Sequence, residues 1–161
     1  MISRASLGHA ALLLALAVAL PACSSSSPSV PNGVTRAVLA LTVTPNPVKT
    51  NLSQAPVLVL QYALNVKETA GLGGEFQYVN ATLFDQGTGG TLAFNSYDTS
   101  DILVFVGSKR LEGGKSIDIT QQLNFLLPAG DTALTSVLTI AVQLKDDNGN
   151  FVNQSILVPV E

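Results

Sequence analysis

Four acidic side chains and two amides are the residues of this chain best suited to bind something. Glu68 and Glu75 bracket the stretch Glu68-Thr69-Ala70-Gly71-Leu72-Gly73-Gly74-Glu75, and Asp146, Asp147, Asn148 and Asn150 surround Gly149 in a second turn. If the two turns meet at one end of the fold, all six converge. Calcium takes about six to eight oxygen ligands from carboxylates, amides and carbonyls, and glycine-rich loops can wrap it. The spacing is not that of an EF-hand loop, and Asp and Asn are also ordinary turn formers whose side chains bond their own backbone. A third stretch, Gly107-Ser108-Lys109-Arg110-Leu111-Glu112-Gly113-Gly114-Lys115, sets three cations among glycines, a composition suited to an acidic glycan or a lipid head group and equally to a mobile, soluble loop.

The absences exclude whole reaction classes. The only histidine is His9 and the only cysteine is Cys23, so no imidazole and no second thiol exist beyond the N-terminal stretch. Ser-His-Asp and Cys-His catalysis are ruled out, as are tetrahedral zinc and the usual copper and iron sites. No Ser-x-x-Lys occurs, and Gly71-Leu72-Gly73-Gly74 lacks the Lys-Ser/Thr ending of a phosphate-binding loop. Glycoside hydrolysis would need two carboxyls about 5 to 10 Å apart with one pKa raised by burial. The acids here fall mainly in turns and at strand ends, where ionisation is expected. No enzyme activity is expected. Without Arg4, seven basic side chains stand against eleven acidic ones. Such a chain has no basic stripe for a phosphate backbone, so nucleic acid is not an expected partner.

The elements that must hold these residues read as strands. Leu58, Leu60, Tyr62, Leu64 and Val66 alternate with more polar neighbours, as do Val79, Ala81 and Leu83, and Leu138, Ile140, Val142 and Leu144. Period two with one apolar face is the pattern of half-buried antiparallel strands. Less regular runs at Ala37–Thr44, Thr91–Tyr97, Ile102–Val106, Ile117–Phe125 and Phe151–Val160 bring the total to about eight, with no helix. Pro45-Asn46-Pro47 closes the first run, Asp85–Gly90 and Pro128–Asp131 are turns, and Asn148-Gly149 predicts a hairpin between the last two strands. Tyr62 belongs to a core-facing series and needs a partner for its hydroxyl. Phe76 and Tyr78 share one face of their run, and with Phe94 and Tyr97 they form either an exposed aromatic patch for a glycan or, more simply, part of the core.

Ala10–Leu20 is an uncharged apolar run after Arg4 and His9, too short to span a bilayer and followed by Leu20-Pro21-Ala22-Cys23. This resembles the lipobox of bacterial lipoproteins. The resemblance implies cleavage after residue 22, lipidation (palmitate among the acyl groups) on Cys23, and attachment to the cell membrane or outer membrane, facing the periplasm or exterior. Residues 23–33 then form a Ser/Pro-rich tether and residues 34–161 the folded domain. The Thr44-Pro45-Asn46-Pro47 strand ending and the Asp146–Asn150 turn before a Val-rich final strand are similar to immunoglobulin-like and fibronectin-III-like modules, although no tryptophan, cysteine pair or tyrosine corner is present. The expected fold is an all-β, immunoglobulin-like antiparallel β-sandwich of seven to eight strands. The expected role is a non-catalytic, membrane-anchored interaction or structural module with an envelope-protein partner. The alternative is a glycan- or calcium-binding module at Glu68, Glu75, Asp146, Asp147, Asn148 and Asn150.

Overall fold

Where apolar and polar residues alternate longest, the chain forms its longest strands. The computed structural model describes residues 33–51, 57–126 and 135–161. The leader, Cys23, most of the tether and the Pro128–Asp131 turn lie outside the described residues. The elements are β1 (Leu39–Thr44), β2 (Thr50–Asn51), β3 (Val57–Glu68), β4 (Gly74–Asp85), β5 (Thr91–Asp98), α1 (Thr99–Val106), β6 (Arg110–Leu111), β7 (Ser116–Leu126), β8 (Ser136–Asp146) and β9 (Phe151–Val160). They make an all-β sandwich of two antiparallel sheets. One holds β1, β3 and β7 in that order, with β2 alongside β3, and the other runs β5-β4-β8-β9, with β6 on the first residues of β4.

The inward positions of both sheets are apolar and closely packed. Leu60, Leu64, Phe76, Leu83, Leu138, Ile140 and Leu144 are fully buried between the sheets. Tyr62 joins them, and its hydroxyl finds the expected partner by donating to the Gln121 side chain on the neighbouring strand. Burial, with Tyr97 close by, raises the Tyr62 pKa. After Pro45-Asn46-Pro47 the chain crosses from one sheet to the other. Val48 forms a parallel bridge to Val160, its N–H donating to the Pro159 carbonyl at 3.0 Å and its carbonyl accepting from Glu161 at 2.9 Å.

Two local expectations need correction, and a third holds. The run Ile102–Val106 is helical rather than a strand, because Asp98 caps it: its Oδ1 accepts from the Ser100 N–H at 2.7 Å and the Asp101 N–H at 3.1 Å, while Asp101 reaches back to the Asp98 N–H. A capping box of this kind satisfies the free amides of the first turn and outweighs the strand preference of Ile and Val. Phe76 and Tyr78 do not share a face, since the register shifts between them against β8; Phe76 is buried and Tyr78 turns outward. The β8–β9 hairpin forms as expected, but only Gly149 has positive φ (85°), with its N–H closing a turn onto the Asp146 carbonyl at 2.8 Å. Truncating the largest fully buried side chain, Phe76→Ala, should cost about 3–5 kcal/mol, read as a lower urea midpoint with an unchanged m-value.

Candidate functional site

The end of the sandwich where β3 meets β4 and β8 meets β9 collects most of the chemistry read in the sequence. Glu68, the last residue of β3, is completely buried. Its Oε1 accepts from the Val38 N–H at 3.1 Å and the Ala70 N–H at 2.8 Å, and its Oε2 from Gly71 at 2.7 Å and Gly114 at 2.8 Å. One carboxylate thus joins the chain entering β1, the β3–β4 turn and the loop before β7. Burial pushes its pKa up, but the four N–H groups outweigh that and hold the carboxyl below its ordinary value.

Asp146 plays the same part on the β8–β9 turn. Its Oδ1 accepts from the N–H groups of Asn148 (3.0 Å) and Asn150 (2.8 Å), and its Oδ2 from Ala37 at 3.1 Å. The Asn150 amide bonds the same carboxylate, and the Asn148 and Asn150 amides both donate to the Thr35 carbonyl at 3.1 Å. Burial again acts upward and is outweighed by Asn150, Ala37 and Asn148, so the Asp146 pKa is lowered. The Arg36 guanidinium donates to the Phe151 carbonyl, so four consecutive residues, Thr35 to Val38, are held by this end of the fold.

The remaining charges pair across the surface. Asp147 receives both terminal nitrogens of Arg110 at 2.7 Å each, and Arg110 Nε donates to Glu112 at 2.8 Å. The bidentate Arg110 contact is the main reason the Asp147 carboxyl sits below its usual value, and it raises Arg110 in turn. Glu75 meets Lys109 at 3.4 Å. Glu75, Arg110, Lys145, Asp146, Asp147, Asn148 and Gly149 line an open depression of about 490 Å³. Five of the six residues assigned to a ligand therefore do gather here, counting Asn150 beside them, whereas Glu68 lies inside with its oxygens occupied by backbone.

Geometry changes what these residues can do. A cation at Glu68 or Asp146 would have to displace the amide donors that already fill their oxygens, and Asp147 is already paired with Arg110. Among the described residues no three His, Cys, Asp or Glu side chains are grouped to hold a metal. Glu68, Asp146 and Asp85 do lie at strand ends as expected, but they are buried there, each accepting several hydrogen bonds from neighbouring N–H groups. Close backbone approach accompanies the clamp. A Cβ on Gly74 would meet the Lys145 carbonyl oxygen at 2.5 Å, and one on Gly113 would collide with the Gly71 carbonyl.

No family model matches the chain, and no curated protein matches it. Solved structures do. A Bordetella pertussis protein described as ApaA superposes with a TM-score of 0.54 at 13% identity, over 77% of this chain and 94% of that one. The structural-genomics target SoR45 superposes with a TM-score of 0.54 at 9% identity, over 76% and 86%. At these identities the likeness is one of fold alone. Among the described residues no helix is long and apolar enough to cross a membrane.

Sequence reading missed the partners of Glu68 and Asp146. Backbone amides carry no signal in residue type, and those of Val38, Gly114 and Ala37 come from far along the chain. Glu68→Gln places an NH₂ donor against amide donors and should cost about 2–3 kcal/mol. Because the Glu68 and Asp146 pKa values are depressed by folding, their stabilisation is present above the unfolded carboxyl range near about pH 4 and is lost as pH falls through the folded values. The melting temperature of the wild type should fall steeply below about pH 4, and Glu68→Gln should flatten that fall.

Proposed function

We propose that the chain is a cell-envelope lipoprotein, anchored through Cys23, whose sandwich is a non-catalytic interaction module for another envelope protein. The strand order supports an immunoglobulin-like or fibronectin-III-like reading. Lettered in that way, A, B and E form one sheet and C′, C, F and G the other, with α1 where strand D would run. A non-catalytic role is supported by the carboxyls themselves. A general acid needs a raised pKa, and Glu68, Asp85, Asp146 and Asp147 are all lowered.

The observation that carries the reading is the outer face of the β5-β4-β8-β9 sheet. Three successive cross-strand rows, Thr91-Phe84-Val137-Pro159, Phe94-Thr82-Thr139-Leu157 and Ser96-Asn80-Ala141-Ser155, contain no charged side chain. Phe94 is 57% exposed and Leu157 68%, at opposite edges of this band. The middle of the other sheet's outer face is different: Gln61 bonds Gln122, Asn65 bonds Asp118, and Gln122 bonds Asn124, a polar surface whose side chains pair with one another, with the exposed Val57–Leu126 pair at one end. A wide uncharged face with apolar residues at its margins suits contact with a protein surface rather than water.

A photo-crosslinking residue at Thr139, in the lipidated protein in its native envelope, should capture one reproducible neighbour. The same probe at Thr120, on the polar face, should capture none. Phe94→Glu and Leu157→Glu should each abolish the capture while shifting stability by no more than about 0.5 kcal/mol. Mass spectrometry should find acyl chains on Cys23, and Cys23→Ser should release the protein from the membrane fraction. An unmodified Cys23, or equal capture at Thr120 and Thr139, defeats the proposal.

A further inference from the structure

Helix α1 presents three consecutive apolar side chains to solvent: Leu103 is 47% exposed, Val104 78% and Phe105 58%. Only Ile102 of this helix is buried. Two turns are too short to be stable alone, and the structure fastens this helix at both ends. Asp98 caps the start, the Thr99 hydroxyl donates to the Phe76 carbonyl at 2.9 Å, and Gly107 closes the other end at φ 77° with its N–H on the Leu103 carbonyl. The Phe105 ring stands edge-on to Tyr97 with centroids 5.3 Å apart. The apolar ridge is thus held rigidly outward.

Its position relative to the N-terminal tether identifies what covers it. The chain enters the fold at Thr35–Val38, bonded to Asp146, Asn148, Asn150 and Glu68. Helix α1 lies in the same half, because the strand pairing puts Asp98 opposite Tyr78 and the Phe76 N–H bonds Lys109 just beyond the helix. Residues 24–33 separate Cys23 from Val34. Ten residues reach at most about 35 Å however they are arranged. A domain of this size has a radius of gyration of about 14 Å, so the tether is no longer than the domain is wide. The end at which the chain enters therefore cannot point directly away from whatever holds Cys23. Arg36, Lys67, Lys109, Arg110, Lys115 and Lys145 lie at this end together with the acids Glu68, Glu75, Glu112, Asp146 and Asp147, and Arg110 and Lys109 are engaged by Asp147, Glu112 and Glu75. Lys49 lies at the far end, beside the Val48–Val160 bridge.

Resting on the reading that Cys23 is acylated, we infer that α1 lays Leu103, Val104 and Phe105 into the interfacial layer of the same membrane, with Lys109 and Lys115 beside it at the head groups. An interfacial helix lays its apolar side into the head-group boundary by about 5–10 Å; the charges nearest this one are Asp98 and Asp101 at its start and Lys109 just beyond its end. The lipid anchor holds the protein at the bilayer, and α1 sets its orientation there. The β3–β4, β8–β9 and pre-β7 loops then face the lipid, and the uncharged sheet face stands upright beside it.

The chain has no tryptophan, so Val104→Trp gives a single-site fluorophore at a position where the side chain is largely free. The full-length acylated variant is reconstituted in vesicles of phosphatidylethanolamine and phosphatidylglycerol carrying brominated acyl chains. The emission should shift to the blue and lose about half its intensity relative to unbrominated vesicles, while Thr120→Trp stays unquenched. With Cys23 shown by mass spectrometry to be acylated, unquenched emission from the Val104→Trp variant overturns the inference and leaves the anchor standing. A blue shift without bromine quenching also overturns it, the ridge then being covered by protein, such as a second copy of the chain. An unacylated Cys23 in cells overturns the anchor, and this inference with it.

Discussion

The buried Glu68 carboxylate is the interaction on which the rest of the fold depends. It sits at the end of β3, where the chain leaves one sheet for the other, and accepts four amides from three separated segments. A charge without partners at this position would be prohibitively costly. With four N–H donors it becomes a junction that holds the entry to β1, the β3–β4 turn and the loop before β7 in one arrangement. Asp146 repeats the device on the β8–β9 turn, and the Asp147 N–H bonds the Gly73 carbonyl at 3.0 Å to bring the two together.

This use of the acids shapes how function is distributed over the molecule. The residues with the most conspicuous chemistry are committed to structure: backbone amides occupy Glu68 and Asp146, and Arg110 occupies Asp147. Among the described residues, the uncharged outer sheet face and the α1 side chains Leu103, Val104 and Phe105 are exposed instead, and neither draws attention by residue type. One lies along a flank and the other near the end where the chain enters, so a membrane and a protein partner could be engaged at the same time without competing.

The sandwich was legible in the sequence because its strands are half-buried, and half-burial writes itself as alternation. Leu58 to Val66 and Leu138 to Leu144 show this plainly. The hairpin at Asp146–Asn150 was legible for the same local reason. Ile102–Val106 misled because its composition favours a strand, while the deciding information lay before it in Asp98 and Asp101. The Phe76–Tyr78 shift was invisible because a bulge moves a face without changing the composition. The candidate site was half legible: the sequence indicated which acids would gather, but the amides that occupy them have no side-chain signature. The uncharged sheet face is written in the nominally polar positions of β4, β8 and β9, where Thr, Ala, Val and Leu stand in place of charges.

The Val48–Val160 bridge places the last residue of the chain at the end opposite the one where Thr35 enters. A pull along the chain before Val34, resisted anywhere on the far side of the domain, runs lengthwise down β1. The six-residue β1–β3 ladder from Leu39↔Glu68 to Thr44↔Ala63 is then loaded in shear, with its rungs strained together rather than peeled one by one. Glu68 and Asp146 grip Val38 and Ala37 just ahead of that ladder, so tension must pass the two buried carboxylates before it reaches the ladder. Resistance to such a load is set by the rate of unfolding and not by the equilibrium stability. The fold is therefore mechanically strongest along the direction in which its own chain enters.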